Sequence, residues 1–217
     1  MNNWDWSAVA DFMPRFWDGL LLTLQVLVLG SLLSFTLGLV WAIGFRAPTR
    51  FVRWPVNAIT EFIRNTPLLV QLFFFFFVLP EWGVQFSGLT TGTIAIGLHY
   101  STYTAQVYRA GIDAVPLGQW EAATALSLPA GRTWTAVILP QAIRRIVPAL
   151  GNYVISMLKD TPLLAGISVL EMLQQSRLES AATFQYTEPL TVVGVAFILI
   201  AYPASLLMRA LERRLVR

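Results

Sequence analysis

Long apolar segments with almost no charge constrain this chain more than any other feature. Residues 20–43 contain no Asp, Glu, Lys or Arg. At about 1.5 Å per residue this run reaches roughly 36 Å, enough to cross a bilayer core of about 30 Å with some tilt. Only 12% of the 217 residues are charged, against about 25% in an ordinary soluble domain. We therefore expect an integral membrane protein, and the net charge of +3 gives no reason to expect a nucleic-acid partner.

The apolar pattern predicts an all-α protein with five membrane-spanning helices. The second span is expected to join an interfacial helix to a short apolar run, with a kink at Pro67. The last span is expected to be interrupted at Pro203. Residues 1–19 are expected to form an external N-terminal segment, and residues 20–217 the transmembrane domain. The predicted spans are residues 20–43, residues 51–63 joined to 68–79, and residues 93–108, 141–158 and 189–208.

Positive charge is divided unevenly between the two predicted sides of the membrane. Five spans place the termini on opposite sides, and the side with the C-terminus carries twelve of the 15 Lys and Arg residues. Short loops rich in Lys and Arg stay in the cytoplasm. We therefore expect the N-terminus outside, the C-terminus inside and residues 113–140 in the cytoplasm. The three basic residues on the outer side are Arg15, Lys159 and Arg177.

The predicted cytoplasmic loop is rich in small residues and is divided by prolines. A short helix is expected over residues 119–128, because alanine has the highest helix propensity. Pro129 and Gly131 end it, and a second short helix is expected over residues 132–139, before Pro140. Two short helices of small residues are shaped to fit a groove on another protein. An ordinary Ala-rich amphipathic helix is the alternative.

Three segments resemble one family of membrane proteins. The loop contains Glu-Ala-Ala-Thr-Ala-Leu-Ser, followed after a spacer by Ile-Leu-Pro, and it resembles the coupling loop of ATP-binding-cassette (ABC) importer permeases. Two further segments resemble the polar-amino-acid branch of that family: Phe-Ile-Arg-Asn-Thr-Pro-Leu-Leu-Val-Gln-Leu-Phe and Thr-Tyr-Thr-Ala-Gln-Val-Tyr-Arg-Ala-Gly-Ile. Two positions depart from the usual pattern, because Ser127 stands in place of glycine and Gln106 in place of an acid.

The resemblance implies a larger assembly around this chain. It implies a type I (MetI-like) bundle of five transmembrane helices in the inner membrane of a bacterium, paired with a second permease that is identical or homologous. Two cytoplasmic ABC ATPases and an extracytoplasmic solute-binding protein would complete the importer. The coupling loop would dock on the ATPase and carry its motion into the membrane.

The resemblance also assigns residues to the coupling loop. Glu121 is expected to order the start of the coupling helix, while Ala122 and Ala123 allow close approach to the ATPase. Ser127 takes the left-handed conformation less readily than glycine, so the turn is expected to be mildly strained or built differently. The residues assigned to coupling are Glu121, Ala122, Ala123, Leu126, Ser127, Gly131, Leu139 and Pro140.

Nucleotide and metal chemistry are not expected on this chain. Its only lysine, Lys159, follows Leu158, so no Gly-Lys-Ser/Thr phosphate-binding loop can form. ATP and Mg²⁺ are therefore expected on the partner ATPase, and the chain itself is not expected to be an enzyme. With one histidine and no cysteine, neither a metal site nor a disulfide is predicted.

Polar residues near the predicted helix breaks are the candidates for a solute passage. Lys159, Asp160 and Thr161 precede Pro162 in an apolar setting, and broken helices are where transporters build their sites. A charge pair at headgroup level is the alternative. The remaining candidates are Glu61, Gln71, His99 and Tyr103. For these four, an ordinary contact between helices is the alternative.

The solute and the energy source stay open at this point. The segments Lys-Asp-Thr-Pro-Leu-Leu, Val-Leu-Glu-Met and Thr-Phe-Gln-Tyr-Thr-Glu-Pro-Leu-Thr resemble the ectoine/hydroxyectoine permeases. Nothing physical in the chain distinguishes ectoine, a compatible solute, from a polar amino acid. The alternative function is a self-contained secondary transporter or channel. It would need coupling-ion carboxylates inside the spans, and commonly an inverted repeat. The clear spans contain almost no acids, and no repeat is apparent.

Overall fold

The computed structural model describes residues 4–215, and all regular structure in that part of the chain is helical, as predicted. In chain order, the elements are α1 (Trp6–Phe45), α2 (Arg50–Asn65), α3 (Leu68–Phe73) continued by a π-helical turn (Phe74–Val78) and a 3₁₀ turn (Leu79–Trp82), α4 (Gly88–Asp113), α5 (Leu117–Ala125), α6 (Ala130–Arg132), a second π-helical turn (Thr133–Ile138), α7 (Leu139–Asp160), a 3₁₀ helix (Thr161–Ile167), α8 (Met172–Thr183) and α9 (Thr187–Leu215).

Helix α4 occupies the centre of the bundle and packs against α1, α2, α3 and α7. Its polar side chains find hydrogen-bond partners on those neighbours. Thr104 Oγ1 donates to the carbonyl oxygen of Ser34 at 2.9 Å. The indole nitrogen of Trp41 donates to Ser101 Oγ at 3.0 Å. This central position explains why the predicted third span is less apolar than the others.

Helices α1 and α4 approach closely because glycines lie at their contact. A Cβ atom on Gly38 would lie 2.1 Å from Thr104 Oγ1 and 3.0 Å from the carbonyl oxygen of Ser101. A Cβ atom on Gly97 would lie 2.7 Å from the side chain of Leu33. Small residues at helix contacts permit this close packing in membrane proteins. The two glycines therefore permit the contact that shields α4.

Helix α1 extends well beyond the predicted first span. Asp5 caps its first turn, and the helix then continues without a break through the predicted boundary at residue 19. Phe12 is fully buried in one cluster with Met172 of α8, so this part of the chain belongs to the bundle. Residues 1–3 of the predicted external segment lie outside the described part of the chain.

The predicted second span is broken and not merely kinked. Helix α2 and the segment that starts with α3 meet at 100°. Thr66 and Pro67 both have extended backbones, with ψ of 129° and 137°. A residue before proline avoids the helical region, and proline has no N–H with which to continue the helix. The break leaves carbonyl groups at the end of α2 that must find other partners.

The predicted second short helix of the loop is part of a much longer one. From Ala130 the chain stays helical as far as Ile167. A π-helical turn over Thr133–Ile138 precedes Pro140. We infer that this wider turn accommodates the proline ring, which would otherwise crowd the preceding turn. Pro203 likewise lies inside the continuous helix α9. The predicted interruptions at Pro140 and Pro203 are therefore wrong.

Two helices, α1 and α9, are each long and apolar enough to cross a membrane alone. Two bent pairs meet the same criterion when each is taken as one span: α2 with residues 68–82, and residues 130–167 with α8. Helix α4 has 26 residues, or about 39 Å at 1.5 Å per residue. It is too polar to qualify by composition. The count of five spans therefore depends on α4, which its neighbours shield.

Ion pairs tie the helices together at opposite ends of the bundle. Arg46, just after α1, pairs with Asp113 at the end of α4, and Arg109 Nε lies 3.7 Å from the same carboxylate. Near the start of α1, Arg15 pairs with Glu179 of α8. The pair between Arg46 and Asp113 brings the C-terminal ends of α1 and α4 together, so these two helices run in the same direction, as a first and a third span must.

Replacing Gly38 by alanine should destabilise the protein by about 1–3 kcal/mol, because the new Cβ would overlap Thr104 Oγ1 and press on the backbone of Ser101. The matched control is Gly194→Ala in α9, where nothing lies within 4 Å of the new atom. That change should be neutral or stabilising by up to about 1 kcal/mol. The midpoint of thermal unfolding in detergent measures both, and equal midpoints would contradict the proposed packing.

Candidate functional site

Two helix breaks meet near the middle of α4. The sequence Thr-Pro-Leu-Leu occurs twice, at residues 66–69 and 161–164. The first copy lies where α2 ends, and the second lies where α7 passes into the 3₁₀ helix without leaving the helical run; we call both positions helix breaks. Helix α3 packs against both α4 and the 3₁₀ helix Thr161–Ile167. Leu68 and Leu164, one from each copy, lie in one buried cluster with Ile96 of α4. The fold thus brings together two breaks that are far apart in the sequence.

Gln71 holds the first break to α4. Its Nε2 atom donates hydrogen bonds to the carbonyl oxygens of Ile63 at 2.7 Å and Thr66 at 3.0 Å, at the end of α2. The same nitrogen lies 3.0 Å from Nδ1 of His99. The two hydrogens of this amide nitrogen are thus shared among three neighbours, and the contact ties the end of α2 to His99 of α4.

Asp160, the last residue of α7, holds the second break to α4. Tyr100 OH donates a hydrogen bond to Asp160 Oδ2 at 2.6 Å. Tyr100 lies midway between the ends of α4, so the carboxylate meets the centre of the bundle. A carboxylate at this depth is costly in lipid and usually faces a cavity or a partner. This position argues against the charge pair at headgroup level.

Aromatic side chains connect the two breaks. The ring centre of His99 lies 5.5 Å from that of Tyr100 and 5.4 Å from that of Tyr103. Tyr153 of α7 completes the group, at 6.1 Å from Tyr100 and 5.7 Å from Tyr103. Aromatic faces attract cations, and the hydroxyl groups can form hydrogen bonds. We define the central cluster as Gln71, His99, Tyr100, Tyr103, Tyr153 and Asp160.

The central cluster contains four of the seven predicted passage residues, namely Gln71, His99, Tyr103 and Asp160. The other three lie elsewhere. Thr161 is fully buried, and its hydroxyl group donates to the carbonyl oxygen of Leu158 at 2.7 Å, where it helps to close the end of α7. Glu61 is exposed on α2. Lys159 is exposed and forms no ion pair with any acid in residues 4–215, so it does not pair with Asp160.

Tyr153 is a functional candidate that the sequence analysis did not select. Tyr153 precedes Asp160 by about two helical turns and therefore shares its face of α7. Tyr100 and Tyr103 are similarly neighbours on one face of α4. The repeated Thr-Pro-Leu-Leu was also missed. Together, these spacings and the repeat are the signals that could have identified the cluster.

A cleft of about 340 Å³ lies beside the first break. Its lining includes the rings of Phe62, Phe74 and Phe75, together with Gln71. The Oε1 atom of Gln71 is buried and has no hydrogen-bond partner among the described residues, although buried polar atoms are normally paired. The volume lies in the usual range for small-molecule sites, about 300–1,000 Å³. The Oε1 atom is not exposed in this cleft, so the walls that a small molecule would meet are apolar and aromatic.

Helix α5 is attached to the bundle by one face and exposed on the other. Trp120 packs edge-to-face on Trp134 with ring centres 5.2 Å apart, and Ala123 is buried. The outward side presents Leu117 and Leu126, which are 70% and 73% exposed. Two exposed leucines on a short helix that is anchored from behind indicate a surface for a partner protein.

Two expectations about the loop need correction. Helix α5 begins at Leu117, so Glu121 lies beyond the first turn and does not order the start of the helix. Ala123 is buried within this chain, so close approach to a partner is left to Ala122, which is exposed. Of the remaining coupling residues, those exposed are Leu126, Ser127, Gly131 and Pro140, and Leu139 is half-buried.

Ser127 has a left-handed backbone, with φ of 51°. Its N–H group donates to the carbonyl oxygen of Thr124 at 2.9 Å, and the N–H group of Leu128 donates to that of Ala123 at 3.0 Å. These two hydrogen bonds form a Schellman motif, which usually has glycine at the left-handed position. The serine therefore makes the same turn as glycine and carries the strain of a left-handed Cβ atom.

The helical bundle, its broken helices and its short exposed helix define a membrane permease of the type I (MetI-like) fold. A solved amino-acid ABC transporter contains a chain that matches with a TM-score of 0.91 at 32% identity, over 98% of this chain and 100% of that chain. A chain of an inward-facing methionine ABC transporter matches with a TM-score of 0.79 at 18% identity, over 95% and 99%. The second match supports the fold alone.

Residues 34–217 match the model of the binding-protein-dependent transport system inner membrane components, and the chain belongs to that family. It is 44% identical over 211 residues to a probable amino-acid ABC transporter permease of Sinorhizobium fredii, covering 97% of this chain and 91% of the relative. It is 31% identical over 214 residues to an arginine transport system permease of Bacillus subtilis, covering 98% of each. The chain is the permease of an amino-acid ABC importer and not an enzyme. These matches favour the importer over a self-contained transporter or channel.

Replacing Ser127 by glycine should leave stability unchanged or raise it by up to about 1 kcal/mol, because relief of the left-handed strain is partly offset by the greater freedom of unfolded glycine. Ser127→Val should instead lower stability, since a β-branched side chain adopts positive φ poorly. The thermal unfolding midpoint measures both variants. A glycine variant less stable than the valine variant would disprove the assigned turn.

Proposed function

We propose that this chain forms the membrane passage through which the importer takes up a small polar amino acid or a zwitterionic compatible solute. The observation that carries the proposal is the central cluster, in which two helix breaks bring Gln71 and Asp160 to the middle of α4. Transporters bind solutes at broken helices because the breaks free polar groups in an apolar setting. The helix breaks, and not the polar residues by themselves, are therefore what supports a solute passage.

The chemistry of the cluster supports a solute with both an ammonium and a carboxylate group. Asp160 and the aromatic rings of the cluster attract the cation. Lys159, next to Asp160 and exposed, supplies a positive charge for the solute carboxylate. Arginine and glutamine, named for the Bacillus subtilis relatives, have this chemistry. Ectoine carries a cyclic amidinium in place of the ammonium group beside its carboxylate, and it remains a candidate through sequence likeness alone.

The proposed orientation has the N-terminus outside and the C-terminus inside a bacterial cell, with the chain in the inner membrane. Arginines gather at the end of the bundle that carries α5, among them Arg46, Arg109 and Arg145, and such residues favour the cytoplasmic side. In this orientation α5 docks on a cytoplasmic ABC ATPase dimer, which binds ATP and Mg²⁺. The opposite end of the bundle receives the solute from an extracytoplasmic binding protein.

A second permease subunit, identical or homologous, is proposed on the face that carries Lys159. This lysine is exposed beside Asp160, near the depth of the middle of α4. A lysine that faces lipid at the bilayer centre costs about 2.5–3.5 kcal/mol or more. A paired permease would shield Lys159 and also close the cleft beside Gln71.

Asp160→Asn should reduce solute uptake about tenfold or more, because loss of a charge-assisted hydrogen bond costs about 1.5–3 kcal/mol. Tyr100→Phe removes only the hydroxyl donor and should cost about fivefold. Asp18→Asn, an exposed position on α1, is the control. Uptake of labelled glutamine, arginine and ectoine is measured in a deletion strain complemented with each variant. Wild-type uptake by Asp160→Asn, at equal protein level, would overturn the passage. If the uptake of one of these solutes is the same with and without the permease, that solute is not a substrate of this importer.

Ala122→Trp should leave the permease folded but abolish most solute-stimulated ATP hydrolysis, because a bulky ring on the exposed face of α5 prevents docking. Ala58→Trp, an exposed position on α2, is the matched control and should retain hydrolysis. Ala123→Trp should instead lower the unfolding midpoint of the permease itself, since Ala123 is 2% exposed. Assembly and ATP hydrolysis are measured on the reconstituted importer, and wild-type values for Ala122→Trp would refute the coupling role of α5.

A further inference from the structure

A basic cleft lies where the end of α1, the start of α2 and the end of α4 meet, away from the central cluster. It encloses about 640 Å³. Four arginines and one aspartate contribute to its walls, which leaves a formal excess of three positive charges. The lining residues are Phe45, Arg46, Arg50, Arg53, Trp54, Asn57, Arg109 and Asp113.

The packing of α2 on α1 shapes this cleft. Gly44 permits the contact, since a Cβ atom there would lie 2.9 Å from the side chain of Val56. Arg50, Arg53 and Asn57 follow one another at spacings of three and four residues, which sets them on one face of α2. This face contributes to the cleft lining, so its polar side chains are grouped and not dispersed over the surface.

Two of the four arginines have no acidic partner in the described part of the chain. Arg46 and Arg109 share the carboxylate of Asp113. Arg50 and Arg53 form no ion pair with any acid in residues 4–215. A guanidinium group matches the geometry of phosphate and binds it through two parallel hydrogen bonds. The two unpaired guanidinium groups are therefore available to a phosphate group from outside the chain.

The surroundings of the cleft favour a lipid as the source of that phosphate. Phe51 is 93% exposed and Trp54 is 68% exposed, on the same helix as Arg50 and Arg53. The cleft also lies where the apolar run of α1 gives way to arginines, which is the level of the lipid headgroups. A helix with exposed aromatic rings beside arginines binds anionic membrane surfaces through both kinds of contact.

We propose that this cleft binds the headgroup phosphate of an anionic phospholipid. Arg50 and Arg53 bind the phosphate oxygens, while Trp54 and Phe45 contact the glycerol and the upper part of the acyl chains. The shared chemistry is a phosphate group, which a dissolved phosphate ion also offers, so the test separates the two sources. The proposal does not depend on the identity of the solute, on the ATPase or on the leaflet that the cleft faces.

Lipid binding to the full-length purified permease tests this proposal. Native mass spectrometry compares titrations with phosphatidylglycerol and with the zwitterionic phosphatidylcholine. The wild-type protein should retain phosphatidylglycerol preferentially. Arg50→Gln with Arg53→Gln should weaken that binding about 25-fold, at about fivefold for each arginine near a membrane surface. Arg50→Lys with Arg53→Lys should retain part of the affinity, because charge is kept while the two-bond geometry is lost.

The control pair is Arg213→Gln with Arg214→Gln, two exposed arginines near the end of α9. It removes the same charge and should keep wild-type affinity. Unfolding midpoints in phosphatidylcholine should be equal for all variants. If the glutamine pair is unstable, lipid affinity is compared between the wild type and the lysine pair instead. Wild-type affinity of the lysine pair would then reject the two-bond contact.

Three other results would overturn the proposal: unchanged phosphatidylglycerol binding by a folded glutamine pair, an equal loss in the control pair, or equal binding of phosphatidylcholine. Displacement of the lipid by inorganic phosphate at the same concentration would instead identify a site for dissolved anions. Cross-linking of a photoreactive residue at position 54 to the ATPase, in the assembled importer, would show that a protein occupies the cleft. Both of these outcomes also reject the lipid.

Discussion

The need to pair the polar groups of α4 inside an apolar bundle is the constraint on which the rest of the structure depends. In a hydrocarbon environment an unpaired polar group costs several kcal/mol, and α4 carries Ser101, Thr104 and His99 among its buried residues. Helix α1 supplies the carbonyl group of Ser34 and the indole of Trp41. The first break supplies Gln71. These contacts surround α4 with protein, and the close approach of α1 through glycine follows from the same requirement.

The helix breaks both satisfy the fold and create the proposed site. Pro67 ends α2 and leaves carbonyl groups without helical partners. The side-chain amide of Gln71 donates hydrogen bonds to these carbonyl groups, and the same amide nitrogen contacts His99. At the other break, Asp160 is held by Tyr100. The residues that stabilise the breaks are therefore the residues proposed to meet the solute. One acceptor, Gln71 Oε1, is buried and has no hydrogen-bond partner among the described residues.

Features that depend on local sequence were predicted well, and features that depend on distant contacts were not. The apolar runs located parts of α1, α4, α7 and α9, and the helix expected over residues 119–128 is observed as Leu117–Ala125, because hydropathy and alanine propensity act locally. The burial of Ala123 was missed because it depends on the packing of α5 against the chain that follows. The 100° break at Pro67 also exceeds the predicted kink, since α3 is oriented by its contacts with α4 and the 3₁₀ helix. Tyr153 joins the site only through the fold.

Trp134, on which α5 rests, and Asp160 belong to one uninterrupted helical run. Along that run they are about 39 Å apart at 1.5 Å per residue. Between them there is a π-helical turn and a proline, but no loop. In the proposed orientation, a displacement of α5 by the ATPase would thus reach Asp160 as a sliding or rotation of this helix. Such a movement would break the Tyr100–Asp160 hydrogen bond.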